Sequence, residues 1–220
     1  SPESFFMAGE LGVGALGTTL LSPVPFMGQM IDHYIKGLKA CHRPVGKTIN
    51  DEKGIFTFVH VAPSRAAAIK ARAAWSALWY VSAAPIVFKV PRAVWYDMIR
   101  SGLHPNAPRD TAVLSGDDKT SLEIAPDEIP VLRLLKTMAK GEEVSAEEAH
   151  DVLEQLDSVV IGDPDHCRKK LEAYEAIGTD RMMCLAQFGQ IPHEAIMRSI
   201  ALTGEHLIPY FAKRKRSAAE

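Results

Sequence analysis

The chain has 220 residues, 47% of them apolar, with charges that nearly cancel at a formal net charge of −2. That length can bury one substantial core, with or without an insertion, and the balanced charge gives no footing to a nucleic-acid or anionic-membrane partner. Three cysteines, Cys41, Cys167 and Cys184, show no CxxC spacing and an odd count. They read as reduced thiols of a cytoplasmic protein, and no apolar run reaches the roughly 18 residues of a membrane span.

In chain order, Ser1 before Pro2 predicts an N-cap with proline at the first helical position, and Phe5, Ala8 and Leu11 give an apolar face ending at Gly12. Gly9 interrupts that helix. Gly12-Val13-Gly14-Ala15-Leu16-Gly17 then spells GxGxxG. That fingerprint binds a pyrophosphate only where a strand enters the first glycine and a helix leaves the last. Here the order is reversed: a helix precedes, and residues 15–21 predict a strand stopped by Ser22-Pro23. Asp32, about twenty positions on, falls on the polar side of the next helix. The better anion seat is the start of the first helix, where orphan N–H groups and the hydroxyls of Ser1 and Ser4 converge.

From Phe26 to Cys41 apolar residues recur at helical spacing, with Gln29, Asp32, His33, Lys36 and Lys39 opposite, and Pro44 and Gly46 close the element. Residues 55–61 form a strand apolar on both faces, the pattern of a parallel sheet covered on both sides. An alanine-rich helix follows over about 64–81. Between 84 and 158 the alternation gives way to helical pieces broken by prolines, with a polar loop at Ser115-Gly116-Asp117-Asp118, which reads as an insertion. Within it Ser145 and Glu148 make a capping box. Then Asp163-Pro164 starts a helix capped by Gly178, residues 181–187 predict a strand, and a last helix runs from Pro192 to about His206. Lys213-Arg214-Lys215-Arg216 opens a solvated basic tail over 213–220. Strand and helix in alternation mark an α/β fold.

The blocks SPESFFMAGELGVG, followed by a strand, and IGDPDHCRKKLEAYEAIGTDRMMCLAQFGQIPHEAIMRSIALTGEHLIPYF together resemble the bacterial luciferase-like, flavin-dependent monooxygenases. The resemblance covers roughly residues 1–83 and 159–212. It implies a TIM-barrel (β/α)8 fold of which 1–212 is the C-terminal part, strands six to eight, interrupted by the helical insertion 84–158. It further implies that reduced FMN, or a deazaflavin, binds at the C-terminal strand ends, with Ser1, Glu3 and Ser4 in the loop that holds the flavin phosphate and Glu3 giving only its N–H. The implied activity is oxidation of a small organic substrate by reduced FMN and dioxygen. A flavin reductase would supply the cofactor, and a homodimer is the expected assembly. A deazaflavin-dependent reductase and a non-catalytic flavin-binding homologue are the rival expectations.

The family's catalytic histidine belongs to strands that this chain does not show, so no catalytic residue is assigned. The chain opens directly on a helix cap, as if a preceding strand had been removed. His33 and His42 fall on a helix surface and its end, and His60 is expected to face a helix from its strand. His193-Glu194 fails HExxH because Met197 stands where the second histidine belongs, so no metal is expected. Trp95, Tyr96 and Met98 read as packing residues of the insertion.

Overall fold

The structure, a computed structural model, describes residues 1–103 and 122–217. Pro105, Pro108, the Ser115–Asp118 loop and residues 218–220 lie outside it. The elements alternate as α1 (Pro2–Glu10), β1 (Ala15–Thr18), α2 (Val24–Ala40) and β2 (Lys53–Val61). Five helices follow: α3 (Arg65–Lys70), α4 (Ala73–Phe88), α5 (Arg92–Leu103), α6 (Pro130–Ala139) and α7 (Ala146–Glu154). Alternation then resumes with β3 (Val160–Gly162), α8 (Pro164–Ala176), β4 (Arg181–Leu185), α9 (His193–Leu202) and α10 (Ile208–Ser217).

GxGxxG is the end of a helix here. Gly12 takes φ +69 and donates to the Gly9 carbonyl, while Val13 donates to that of Ala8, so the glycine closes α1 in the left-handed conformation that suits it. Gly17 lies within β1. Gly9 has a separate reason. A Cβ there would lie 2.3 Å from the Tyr34 carbonyl oxygen, and one at Gly37 would lie 2.0 Å from that of Phe6. The glycines let α1 and α2 touch backbone to backbone.

All described strands are parallel, and β2 is their centre. β1 pairs with its first residues, 53–56, β4 with Gly54–Phe58 and β3 with Val59–Val61. The Phe56 carbonyl accepts from Thr19, just after β1, and the Ala62 amide donates to Gly162. Residues an even number apart turn their backbone polar groups to the same side of a strand, so β3 continues the β1 side of β2. The two short strands lie end to end. A buried hydroxyl network fastens the join: Tyr174 donates to the Ser158 carbonyl at 2.7 Å, Thr57 Oγ1 to the same oxygen at 2.9 Å, and Thr19 Oγ1 lies 2.7 Å from Tyr174 Oη. Because the tyrosine proton is committed to Ser158, Thr19 is the donor of the last bond.

Side chains alternate across the sheet. On the outer face Ile55, Val59 and Val61 pack with Met27 and Ile31 of α2, Tyr174 of α8 and Leu202 of α9. On the inner face Phe58, Ala62 and Ile161 meet Ala77 and Leu78 of α4, Leu135 of α6 and Leu153 of α7. Coverage on both sides is why β2 is largely apolar on both faces. The neighbouring strands are less protected: Leu16 and Met183 are 58% and 45% exposed, and among the described residues β1 and β4 each have one unpaired edge. Among the described residues the sheet is open, with β1, β2, β4 and the three-residue β3, rather than a closed barrel.

Several expectations need correction. The helix expected over 64–81 is two, because Arg72 adopts φ 55 between α3 and α4, and α4 runs on through Pro85 to Phe88. β3 was hidden by its three-residue length. The last helix does not stop before Pro209: a π-helical turn, Thr203–Leu207, carries it into α10, and this wider turn ahead of Pro209 accommodates a residue that has no N–H to donate. The supposed tail is therefore helical through Ser217, and Arg214 pairs with Glu175 of α8 at 2.7 Å.

Candidate functional site

A helix that feeds the start of a parallel strand has its own N-terminus at the sheet's C-terminal edge, the end where α/β folds bind ligands. α1, α2 and α8 do so here. At α2 the Val24 amide donates to Asp157 Oδ1 at 3.1 Å, and at α8 Asp163 Oδ1 accepts from the His166 amide at 2.9 Å. Both positive helix ends are thus met by a partly buried carboxylate of the chain itself.

α1 differs. Ser1 Oγ accepts a long 3.4 Å bond from the Ser4 amide and lies 3.1 Å from Ser4 Oγ, both contacts being exposed. The Glu3 carboxyl is held below its usual range, first by its own backbone N–H and then by the Ser1 hydroxyl. The structure therefore brings Ser1, Glu3 and Ser4 together as two hydroxyls and first-turn amides with one solvent-exposed carboxylate resting on them. In kind these donors suit a phosphate dianion. Glu3 must swing aside for one to approach, and its full exposure permits that.

Other expected residues fall elsewhere. His60 shares the inner face with Phe58, is 1% exposed, and has an Nδ1 without a hydrogen-bond partner. Burial pushes it down to about 4, so it is neutral at pH 7. His150 and His166, unremarked in the sequence, are pushed down too, by burial first. Among the described residues no group of three His, Cys, Asp or Glu could hold a metal, and no helix is long and apolar enough to cross a membrane. Trp95 packs against the core and Tyr96 is buried, whereas Met98 is 57% exposed. A groove beside Trp75 and Trp79 went unseen in the sequence, because its lining comes from segments some sixty residues apart.

No protein-family model matches the sequence, and no curated protein matches it. Solved structures match in fold. The coenzyme F420 dependent tetrahydromethanopterin reductase from Methanopyrus kandleri is 17% identical over 96% of this chain and 49% of that one, with a TM-score of 0.50. Monooxygenase RslO1 from Streptomyces bottropensis is 15% identical over 96% and 46% of the two chains, at 0.49, and apo-MsnO8 is 18% identical over 94% and 48%, at 0.42. The chain spans about half the length of these proteins. Identity this low speaks to fold alone, and only the first match is close enough to do so. The fold is α/β with an open parallel sheet covering part of such a barrel.

Proposed function

We propose that this chain is the C-terminal part of a luciferase-like (β/α)8 flavoenzyme, residues 1–212 with the helical insertion 84–158, that oxidises a small organic substrate with reduced FMN and dioxygen. The observation that supports it most is the contrast among the three helix N-termini. Only that of α1 offers hydroxyl and amide donors not engaged by a buried carboxylate, and these belong to the Ser1-Pro2-Glu3-Ser4 segment on which the family resemblance falls. The Ser1 and Ser4 hydroxyls would hold the flavin phosphate, with Glu3 giving its N–H. Bound flavin supplies the redox chemistry, while the protein orients it and excludes water. A flavin reductase as supplier and a homodimer belong to the same reading, and the unpaired edges of β1 and β4 suit assembly with further strands. A deazaflavin-dependent reductase is the second reading, favoured by the fold match to an F420-dependent enzyme.

The test is a titration of the protein carrying this chain with reduced FMN and, in parallel, a reduced deazaflavin. Replacing Ser1 and Ser4 together by alanine removes two hydroxyl bonds to a charged group, each about 1.5–3 kcal/mol. A rise of at least about tenfold in Kd is expected. A Kd within about twofold of the parent would reduce Ser1-Pro2-Glu3-Ser4 to a helix cap. Tighter binding and turnover of the deazaflavin would select the reductase, and binding without oxygen consumption a non-catalytic homologue.

A further inference from the structure

A groove of 180 Å³ lies between the start of α4 and the turn after α6, lined by Arg72, Trp75, Trp79, Met138, Gly141, Glu142, Glu143 and Val144. Sites for drug-sized ligands run to roughly 300–1,000 Å³, so this one takes a single ring and a short arm. Its wall is aromatic: Trp75 and Trp79 stand one helical turn apart on α4, and Trp79 is 42% exposed.

Its charges are unspent. The Arg72 guanidinium lies 4.0 Å over the Trp75 ring, which fixes its plane and leaves its N–H edge without a hydrogen-bond or ion-pair partner among the described residues. Arg72 also holds φ 55, a left-handed conformation that glycine adopts without strain and arginine does not. Strain of this kind tends to be kept where a side chain is needed. From the turn after α6, Glu142 and Glu143 line the same groove, exposed and unpaired among the described residues. They follow the C-terminus of α6, where the helix dipole is itself negative, so their charge is uncompensated. The lining of one groove thus carries a guanidinium, two carboxylates and two indoles.

We propose that this groove binds a small aromatic zwitterion. The ring stacks on Trp79, a carboxylate takes the Arg72 guanidinium edge, and an ammonium group lies against Glu142 and Glu143. A simple anion would meet the two glutamates, and a simple cation would meet Arg72. Only a ligand carrying both charges satisfies both sides. The groove shares no residue with the Ser1, Glu3 and Ser4 site.

The experiment uses L-phenylalanine as probe, read by tryptophan emission on excitation where phenylalanine is dark. A ligand of this size binds with a Kd on the order of 1 mM. L-Alanine, lacking the ring, and phenethylamine, lacking the carboxylate, are expected to bind at least about tenfold more weakly. Arg72→Gly suits the local backbone and removes the guanidinium. It should raise the Kd for L-phenylalanine about tenfold while keeping or raising Tm. The Glu142→Gln, Glu143→Gln pair should weaken L-phenylalanine but not 3-phenylpropanoate. No saturation by about 20 mM L-phenylalanine, well above that Kd, would overturn the proposal. So would equal binding of L-alanine, or an unchanged Kd in Arg72→Gly.

Discussion

The inner face of the sheet has two halves of opposite character. Toward the C-terminal ends Phe58 is 0% exposed, with Tyr80 edge-on at 5.6 Å and Phe188 at 4.8 Å. Toward the N-terminal ends Leu16 and Met183, on the same face, are 58% and 45% exposed. Register explains the shared face, since Leu16 pairs with Gly54 and Met183 with Phe56. Local sequence does not explain the different burial. The upper half is roofed by α4, α6 and α7, whereas Leu16 and Met183 in the lower half stay about half exposed. An apolar strand pattern reports a face made for burial; what buries it is decided by chain far away.

The widest gap should appear between two truncations. Phe58→Ala removes a buried ring and is expected to lower unfolding free energy by about 3–5 kcal/mol, whereas Met183→Ala should change it by less than about 0.5 kcal/mol. Urea denaturation of both variants checks this. Comparable losses would erase the contrast and show that the lower half is covered in solution by another chain.

A pH series probes the upper half next. Burial pushes His60 down to about 4, while an unfolded imidazole titrates near 6.5. The unfolded state therefore binds the extra proton between these values. Stability is fully present above pH 6.5 and is lost as pH falls toward 4, by about 3 kcal/mol in total. Denaturation at several pH values, with His60→Leu as the reference, isolates that term. Parallel curves for the two proteins would show that His60 is more open than its surroundings indicate.

The smallest effect concerns the boundary between the halves, where β1 ends and β3 begins. Tyr174→Phe takes the donor from the Ser158 carbonyl and the acceptor from Thr19, which should cost roughly 1–2 kcal/mol. Equilibrium unfolding measures it, and a neutral result would mean that Thr57 alone holds the join.

Local chemistry made much of this legible. Ser1-Pro2, Ser145 with Glu148, and Asp163-Pro164 each marked a helix start that the structure shows with its capping bond, and Gly12 and Gly178 marked helix ends with positive φ. β2 read correctly because an apolar run on both faces has few other uses. What stayed hidden was non-local. Asp157 caps α2 from 133 positions away, and β3 is a strand only because Val59–Val61 of β2 offers it a partner. The break at Arg72 is unreadable because arginine is a good helix former in an alanine-rich run. At the candidate site, convergence of Ser1 and Ser4 followed from the cap, but the engagement of Glu3 with both the Ser1 hydroxyl and its own amide did not.

The bond from the Ala62 amide to the Gly162 carbonyl, 2.8 Å long, makes the chain between those residues a detour whose two ends lie side by side on the frame. A flexible connection of doubled length costs only about 0.6 kcal/mol more to close, so the frame is almost indifferent to how much chain the detour holds. Its two ends act as a socket. A different cassette could be grafted there without disturbing the register of β1, β2 and β4 if it brings an apolar underside for Phe58 and keeps what the frame takes from this stretch: Asp157 on the Val24 amide, the Ser158 carbonyl for Tyr174 and Thr57, and the β3 pairing. Variation within such a lineage would then be written in the cassette, while the frame beneath it stayed the same.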